Sequence, residues 1–172
     1  MRNPLKNQWA LILGASSGFG ASVALELARQ GMHILGVHLD RKATMVNVKH
    51  LQDQISSAGG ESLFFNVNAA DPVKRSLVLE EAREKLTSSG EEKRILIFLH
   101  SLAFGSLRPY FPDDLGKPIS RDQINMTLDV MAHSLVYWTQ DLVTCGLLEK
   151  GSRIFAMTSS GGHRVWKSYG SV

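Results

Sequence analysis

The sequence predicts an α/β domain built on a doubly wound parallel sheet, with the expected strand order 3-2-1-4-5. Short, almost continuously apolar runs alternate with longer stretches of helical periodicity, and strands covered on both faces have such apolar sequences. Right-handed crossovers through the intervening helices make the sheet parallel. The chain has 172 residues, 44% of them hydrophobic, which suffices for the core of one domain over residues 1–172.

Five segments have the apolar character expected of strands. They span residues 9–13, 32–38, 62–67, 94–100 and 153–158. The first reads Trp-Ala-Leu-Ile-Leu, which is far too short to cross a bilayer. We therefore expect buried strands and no membrane contact.

The first two helices are predicted from an end signal and from periodicity. The first runs from Phe19 to Gln30 and stops at Gly31, a residue that can take the left-handed conformation ending a helix. The second places four apolar residues on one face at a spacing of 3, 4 and 3 residues. They are Val48, Leu51, Ile55 and Ala58.

The third and fourth helices are predicted from their amino-terminal caps. Asp71 can cap free backbone N–H groups while Pro72 takes the first turn, where a missing donor costs nothing. Ser120 and Gln123 have capping-box spacing. From there we expect one continuous helix toward Gly146.

Composition narrows the function classes. The net charge is +3, and the basic residues are scattered, which argues against nucleic-acid binding. The amino terminus lacks the extended apolar region of a secretory signal. The single cysteine, Cys145, excludes an intrachain disulfide and a cysteine-rich metal site, and agrees with a cytoplasmic location. No metal is expected, because five histidines show no metal-ligand spacing: His33, His38, His50, His133 and His163.

A glycine-rich loop follows the first strand directly and opens the first helix. Glycines allow a tight turn and close backbone approach, so that a pyrophosphate can rest on the N–H groups and positive dipole end of the helix. In this strand–loop–helix context the loop predicts dinucleotide binding. The residues expected to hold the phosphates are Gly14, Ser16, Ser17, Gly18, Phe19 and Gly20.

The spacing of these glycines, Gly-x3-Gly-x-Gly, resembles that of the short-chain dehydrogenase/reductase family. The resemblance implies that the end of the second strand reads the adenosine ribose, an acidic residue favouring NAD and basic neighbours favouring NADP. His38 stands at the usual acidic position, and Arg41 or Lys42 could approach a 2′-phosphate. We therefore expect NADP(H), with NAD(H) as the alternative if Asp40 reaches the ribose.

Asn68 and Ala69 follow the third strand, where the family usually has Asp-Val beside the adenine. An amide oxygen can accept a hydrogen bond from the adenine amino group, so the substitution is tolerable. The resemblance thus places both residues in the cofactor site.

The fourth strand ends in His-Ser-Leu-Ala-Phe, residues 100–104, and this segment resembles the enoyl-acyl-carrier-protein reductase branch of the family. The resemblance places Ser101 and Leu102 along the middle of the cofactor and His100 under it, at the end of the strand. Met131 stands where most members carry the asparagine of a proton relay. A thioether cannot position the relay water, which argues against an ordinary ketoreductase.

The fifth strand delivers Thr158, Ser159 and Ser160, and Tyr169 follows after a loop. Ser159 precedes Tyr169 by ten residues, a spacing similar to that of the enoyl reductases. Those enzymes often have another tyrosine at the serine position, so Ser159 leaves a ketone or aldehyde substrate open. The resemblance implies that Tyr169 bonds the substrate carbonyl, that Ser159 or Ser160 adds a donor, and that Thr158 contacts the cofactor.

We therefore expect an NAD(P)H-dependent reductase acting on an enoyl thioester in fatty acid synthesis. A reductase of ketones or dehydrogenase of alcohols is the first alternative. A non-catalytic NAD(P)-sensing module is the second, because the family's lysine would fall at position 173 or 176, beyond Val172. We expect the native chain to continue past Val172 and to form a homodimer or homotetramer through the fourth helix and the next one.

Overall fold

A computed structural model of the chain describes residues 3–87, 94–111 and 116–172. In this part of the chain, five strands form one parallel sheet in the order β3-β2-β1-β4-β5. The doubly wound fold and its strand order are therefore confirmed. The strands are β1 (Trp9–Leu13), β2 (His33–His38), β3 (Ser62–Asn66), β4 (Ile95–His100) and β5 (Arg153–Ala156).

Helices connect these strands across both faces of the sheet. They are α1 (Gly18–Arg29), α2 (Met45–Ser57), α3 (Pro72–Thr87), α4 (Arg121–Leu128) and α5 (Ser134–Thr144). Short 3-10 turns lie at Lys42–Thr44 and Ser160–His163, and a π-helical turn lies at Asp129–His133.

Side chains of β1 alternate between two buried clusters. Trp9, Leu11 and Leu13 pack with residues of α3 and α5, whereas Ala10 and Ile12 pack with residues of α1 and α2. Successive side chains of a strand point to opposite faces, so a wholly apolar strand has to be covered on both sides. This central burial fixes the positions of the loops at the strand ends.

Two predicted helix starts are confirmed in atomic detail. The Asp71 carboxylate accepts from the N–H groups of Val73 and Lys74 at 2.9 and 3.0 Å. The Ser120 hydroxyl accepts from the Gln123 N–H, and the Gln123 side chain accepts from the Ser120 N–H. Both caps satisfy amide donors that have no partner within the helix.

The fourth helical stretch is unbroken from Arg121 to Thr144, but it contains a π-helical turn at Asp129–His133, between α4 and α5, that the sequence does not predict. The Ser134 hydroxyl donates to the Val130 carbonyl at 2.8 Å and also contacts the buried His100 ring. A π turn carries an extra residue in its hydrogen-bonded ring and often marks a functional site.

Several predicted strand and helix ends differ by one or two residues from those of the structure. Residue 67 lies outside β3, yet the Val67 N–H still donates to the His38 carbonyl at 2.8 Å. Residues 157 and 158 lie outside β5, although the Met157 N–H still donates to the His100 carbonyl. The ladders therefore continue slightly beyond the regular strands. In the described chain, no helix combines the length and apolar character needed to cross a bilayer.

Candidate active site

A cleft of about 470 Å³ lies at the carboxyl edge of the sheet, next to β1 and β4. The connections from these two strands run in opposite directions, and ligands of doubly wound sheets bind at such a switch point. Ten predicted cofactor residues line the cleft: Gly14, Ser16, Ser17, Gly18, Phe19, His38, Asn68, Ala69, Ser101 and Leu102. Four others, Gly20, Arg41, His100 and Thr158, are not among its lining residues.

Gly14 and Gly20 allow the close backbone contacts that build the loop. A Cβ atom at Gly14, whose φ is +83°, would lie 2.3 Å from the Ser101 carbonyl oxygen. A Cβ atom at Gly20 would lie 2.0 Å from the Gly14 carbonyl oxygen. Both neighbours are backbone atoms, which cannot swing away as a side chain can. Gly20 therefore supports the loop through its contact with Gly14, without lining the cleft.

The amino terminus of α1 leaves room for a phosphate group. Ser17 is the N-cap residue, and in the described chain its side chain makes no capping bond. Among the described residues, and apart from the adjoining backbone of the helix, no atom lies within 4 Å of the place where a Cβ atom of Gly18 would sit. Backbone N–H groups at a helix amino terminus bind phosphate groups. The space around Gly18 therefore suits a pyrophosphate.

A carboxylate, Asp40, lies just after β2, next to the cleft residues His38 and Leu39. The His38 ring, which is almost fully buried, has its Nδ1 atom 2.9 Å from Asp40 Oδ2. Burial works to raise the pKa of Asp40, but hydrogen bonds from Ser16, Thr44 and His38 and the electrostatic interaction with His38 outweigh it and lower that pKa. Ser16, one of the side chains that lower this pKa, lines the cleft.

Asn66 holds the backbone of Asp40 by two hydrogen bonds. Its Oδ1 accepts from the Asp40 N–H at 2.9 Å, and its Nδ2 donates to the Asp40 carbonyl at 3.0 Å. Arg41 and Lys42 are exposed. The carboxylate is thus fixed by the end of β3, whereas the two basic side chains are not.

Asn68 and Ala69 both line the cleft, but only Asn68 is exposed. The Asn68 Oδ1 atom accepts from the Ala70 N–H at 3.0 Å, so one lone pair of that oxygen is already used. The Ala69 carbonyl accepts from the Trp138 indole N–H at 2.8 Å. This buried bond ties the loop after β3 to α5.

His100 is buried at the end of β4, and it is not among the residues that line the cleft. Its Nε2 atom lies 2.8 Å from the Ser134 hydroxyl. Burial lowers the pKa of His100, although backbone hydrogen bonds to its own carbonyl and to that of Val130 oppose the change. A neutral ring is the state that this buried position favours.

Tyr169 and Ser159, two of the predicted catalytic residues, both lie close to Gly161. A Cβ atom at Gly161 would be 3.1 Å from Ser159 Oγ and 3.8 Å from Tyr169 Cδ1. Ser159 Oγ accepts from the Gly161 N–H at 3.1 Å, which leaves its hydroxyl hydrogen for another acceptor. Tyr169 is half-buried, whereas Thr158 and Ser160 are exposed.

No metal site accompanies this arrangement in the parts of the chain that the structure describes. Residues 3–87, 94–111 and 116–172 contain no group of three or more His, Cys, Asp or Glu side chains that could hold a metal ion.

A family model described as enoyl-(acyl carrier protein) reductase matches residues 14–172. The chain belongs to the short-chain dehydrogenase/reductase family. The match includes the glycine loop, residues 100–104 and Tyr169, which carried the resemblance in the sequence.

Two curated relatives of this family are similar over different lengths. A cyclohexanol dehydrogenase of an Acinetobacter species is 35% identical over 82 residues, which are 48% of this chain and 31% of that protein. An uncharacterised short-chain type dehydrogenase/reductase of Sinorhizobium fredii is 27% identical over 153 residues, which are 89% of this chain and 52% of that protein. The chain thus spans a third to a half of the length of these relatives.

Solved structures of short-chain dehydrogenases/reductases share the fold. A 7α-hydroxysteroid dehydrogenase complexed with NADH and 7-oxo glycochenodeoxycholic acid matches with a TM-score of 0.79 and 18% identity, over 98% of this chain and 60% of that one. A Burkholderia cenocepacia short-chain dehydrogenase in complex with NADP matches with a TM-score of 0.75 and 23% identity, over 95% and 60%.

The sequence did not predict several residues of this short-chain dehydrogenase/reductase site. Phe104, Met126 and Val130 also line the cleft, and the four-residue spacing of the last two on the fourth helix is a signal that could have found them. Trp138 and Ser134 act through distant partners, Ala69 and His100. No local spacing indicates those pairs.

Proposed function

We propose that the protein is a nicotinamide-dinucleotide-dependent reductase that adds hydride to the double bond of an enoyl thioester, as in fatty acid synthesis. The observation that carries the proposal is the placement of Tyr169 and Ser159 around Gly161, just beyond β5. The parallel strands end at one edge of the sheet, so Ser159, three residues after β5, lies at the same edge as the glycine loop. Neither Ser159 nor Tyr169 is among the residues that line the cleft.

The proposed dinucleotide lies in the cleft that the glycine loop and the ends of β2, β3 and β4 enclose. The N–H groups at the start of α1 would hold its pyrophosphate, and Ala69 would lie against its adenine. Ser101 and Leu102 would line its middle. When bound, the reduced nicotinamide supplies a hydride.

For the cofactor we propose NAD(H) rather than the NADP(H) that the sequence favours. The sequence preference rests on His38 in place of a carboxylate, but Asp40 provides a carboxylate two residues later. Its lowered pKa keeps it ionised at neutral pH, and it would repel a 2′-phosphate near Ser16 while accepting from ribose hydroxyls. Arg41 is exposed, and neither Arg41 nor Asp40 is among the residues that line the cleft.

Tyr169 stabilises the negative charge that develops on the thioester carbonyl oxygen, because its hydroxyl donates a hydrogen bond to that oxygen. Ser159 adds a second donor, since its oxygen already accepts from the Gly161 N–H. Hydride reaches the β-carbon of the substrate, and a proton taken up at the α-carbon completes the saturated thioester.

The wall of the cleft suits an acyl chain. Phe19 and Phe104 are largely exposed and line the cleft, as do Leu102, Met126 and Val130. Exposed aromatic side chains in a cavity commonly bind apolar ligands. A thioester with a hydrocarbon tail is therefore the substrate class that we propose.

Reduction of a ketone, or oxidation of an alcohol, is the second candidate. Ser159 provides a hydroxyl where the enoyl reductases often have a tyrosine, and the relative that matches over 82 residues is a cyclohexanol dehydrogenase. Met131 in the π turn argues against the relay that ordinary ketoreductases use.

We also propose self-association into a homodimer or homotetramer and a cytoplasmic location. The fourth helical region exposes Val136, Tyr137 and Val143 on α5, which fits the pairing that the family resemblance implies. Cys145 is an exposed free thiol, and thiols stay reduced in a reducing compartment such as the cytoplasm. Sedimentation of the complete protein as a monomer would contradict the proposed pairing.

The Tyr169→Phe variant tests the reaction. Removing the phenolic hydroxyl leaves the ring in place, so the turnover of a trans-2-enoyl thioester should fall by about 10²–10⁴-fold. NADH oxidation is followed at saturating substrate, using protein made from its complete coding sequence. The control is Tyr137→Phe, the same change at an exposed tyrosine on α5. Equal turnover by Tyr169→Phe and the wild type would overturn the assignment.

A further inference from the structure

We propose that Tyr110 is a positioning residue for Tyr169, and that it acts by packing its ring against Gly170. The inference rests on the proposed function, because it concerns how the proposed proton donor is held. Tyr110 lies in the long loop between β4 and α4, about sixty residues earlier in the chain.

The contact between Tyr110 and Gly170 leaves no space for a side chain. A Cβ atom at Gly170 would lie 2.2, 2.4 and 2.6 Å from the Cε2, Cζ and Oη atoms of Tyr110. Distances below 3.0 Å are not found between such atoms. The phenol ring therefore lies directly on the backbone of the residue that follows Tyr169.

Neighbouring contacts join the same two segments. The Ser171 hydroxyl donates to the Ser106 carbonyl at 3.2 Å. A Cβ atom at Gly105 would lie 3.0 Å from Val172 Cγ2 and 2.6 Å from Thr127 Cγ2. The loop residues 105–110 thus form a seat for residues 170–172.

The seat is itself fixed to α4. Thr127 is fully buried, and its hydroxyl accepts from the Ser106 N–H at 3.0 Å while donating to the Gln123 carbonyl at 2.8 Å. Because this buried hydroxyl makes two hydrogen bonds, it holds the loop firmly against α4. The position of Tyr169 therefore depends on α4 through the loop.

The rest of the Tyr169 segment receives little support from the core. Every residue of β5 is exposed, and Ser168 has a φ of +67°, a strained left-handed conformation for a side-chain-bearing residue. The Trp166 ring meets the Tyr169 ring edge-on at 5.2 Å, but Trp166 is itself substantially exposed. Tyr110 is half exposed, so filling the core does not explain its contact.

The expected consequence is a loss of turnover when the Tyr110 ring is removed. A displacement of about 1 Å in a reacting group can reduce the rate by roughly 100-fold. We expect Tyr110→Ala to lower kcat by about 10–100-fold with the cofactor Kd unchanged. Tyr110→Phe keeps the ring and should restore kcat to within about twofold of the wild type. The matched control, Phe111→Ala, removes the adjacent and more exposed aromatic ring.

A second variant adds bulk on the other side of the contact. Gly170→Ala places a methyl group where the Tyr110 ring lies, so kcat should fall as in Tyr110→Ala. Because both changes disturb one contact, the double variant should lose no more than the worse single variant. Full additivity of the two losses would overturn the proposal.

A fluorescence measurement tests the position of the segment without turnover. Trp166 is exposed whereas Trp9 and Trp138 are buried, so acrylamide quenches Trp166 preferentially. The Trp166 signal is isolated by subtracting the same protein carrying Trp166→Phe. Quenching should increase in Tyr110→Ala and Gly170→Ala, and stay unchanged in Tyr110→Phe and Phe111→Ala.

The two readouts separate failure of the inference from failure of the proposed function. If the wild-type protein, made from its complete coding sequence, reduces neither an enoyl thioester nor a ketone, the proposed function fails and quenching decides the positioning. Unchanged quenching in Tyr110→Ala would overturn the inference. So would an unchanged kcat in an active protein, or an equal loss in Tyr110→Phe. Melting temperatures close to that of the wild type exclude unfolding as the cause.

Discussion

The first and last strands of the chain differ sharply in how they are held. Every residue of β1 is buried, and it pairs with β2 on one side and β4 on the other. Every residue of β5 is exposed, and in the described chain it pairs with β4 alone. The glycine loop continues from β1, whereas Ser159 and Tyr169 follow β5.

Because of this difference, we expect substitutions near β1 and substitutions near Tyr169 to have different effects on folding stability and on turnover. Changes near the glycine loop disturb backbone contacts at the centre of the sheet, so they should affect folding and cofactor binding together. Changes near Tyr169 disturb a segment that rests on the loop at residues 105–110, so they should affect turnover with little effect on folding. Variants of Gly14, Gly59, Asp40 and His100 test the part of this contrast that concerns the central strands.

The largest expected effect is that of Gly14→Ala. The new methyl group would meet the Ser101 carbonyl oxygen at 2.3 Å, so β1 and β4 must shift apart at the centre of the sheet. We expect a loss of about 3 kcal/mol or more in the free energy of unfolding, together with weaker cofactor binding. Urea denaturation and calorimetry measure the two quantities.

Gly59→Ala is the matched control for backbone strain. Gly59 has a φ of +86°, close to the +83° of Gly14, but no atom lies within 4 Å of its added Cβ. This variant should lose only about 1 kcal/mol, the cost of a left-handed conformation. If both variants lost the same amount, the contact between Gly14 and Ser101 would have no special role.

The next effect concerns the carboxylate of Asp40. Asp40→Asn removes the negative charge near Ser16, so the affinity for NADPH should rise by about tenfold relative to NADH, or about 1.4 kcal/mol. Calorimetric titration with both dinucleotides gives the ratio. Asp53→Asn changes an exposed carboxylate on α2 and should leave the ratio unchanged. A wild type that binds NADPH more tightly than NADH would contradict the proposed preference.

The smallest effect is a pH dependence from His100. Burial lowers the pKa of His100 in the folded protein, whereas the unfolded ring takes up a proton below about pH 6.5. The free energy of unfolding should therefore fall as the pH drops from 6.5 toward the lowered pKa, by at most about 1.4 kcal/mol per pH unit. His100→Asn should show a shallower slope in this window. Identical slopes in both proteins would mean that folding does not lower the pKa of His100.

Local signals in the sequence predicted the central half of the molecule well. The Asp71 cap, the capping box at Ser120 and the glycine loop each depend on residues within a few positions of one another. Apolar runs likewise predicted five parallel strands in the observed order. Short-range chemistry determines these features, so the sequence displays them.

Contacts between distant residues could not be predicted in the same way. His100 meets Ser134 across 34 positions, Ser106 meets Ser171 across 65, and Ala69 meets Trp138 across 69. Ser134 of the first pair directly follows the π turn, which the sequence did not predict. Such pairings form only once the sheet has folded, and no spacing along the chain indicates them.

The most direct test of the proposed function compares two substrates. Protein made from its complete coding sequence is given NADH with a trans-2-enoyl thioester and, separately, with a cyclic ketone, and kcat/KM is measured for each. The proposal predicts faster reduction of the enoyl thioester and loss of that activity in Tyr169→Phe. Turnover of the ketone alone, or tight NADH binding without turnover of either, would contradict it.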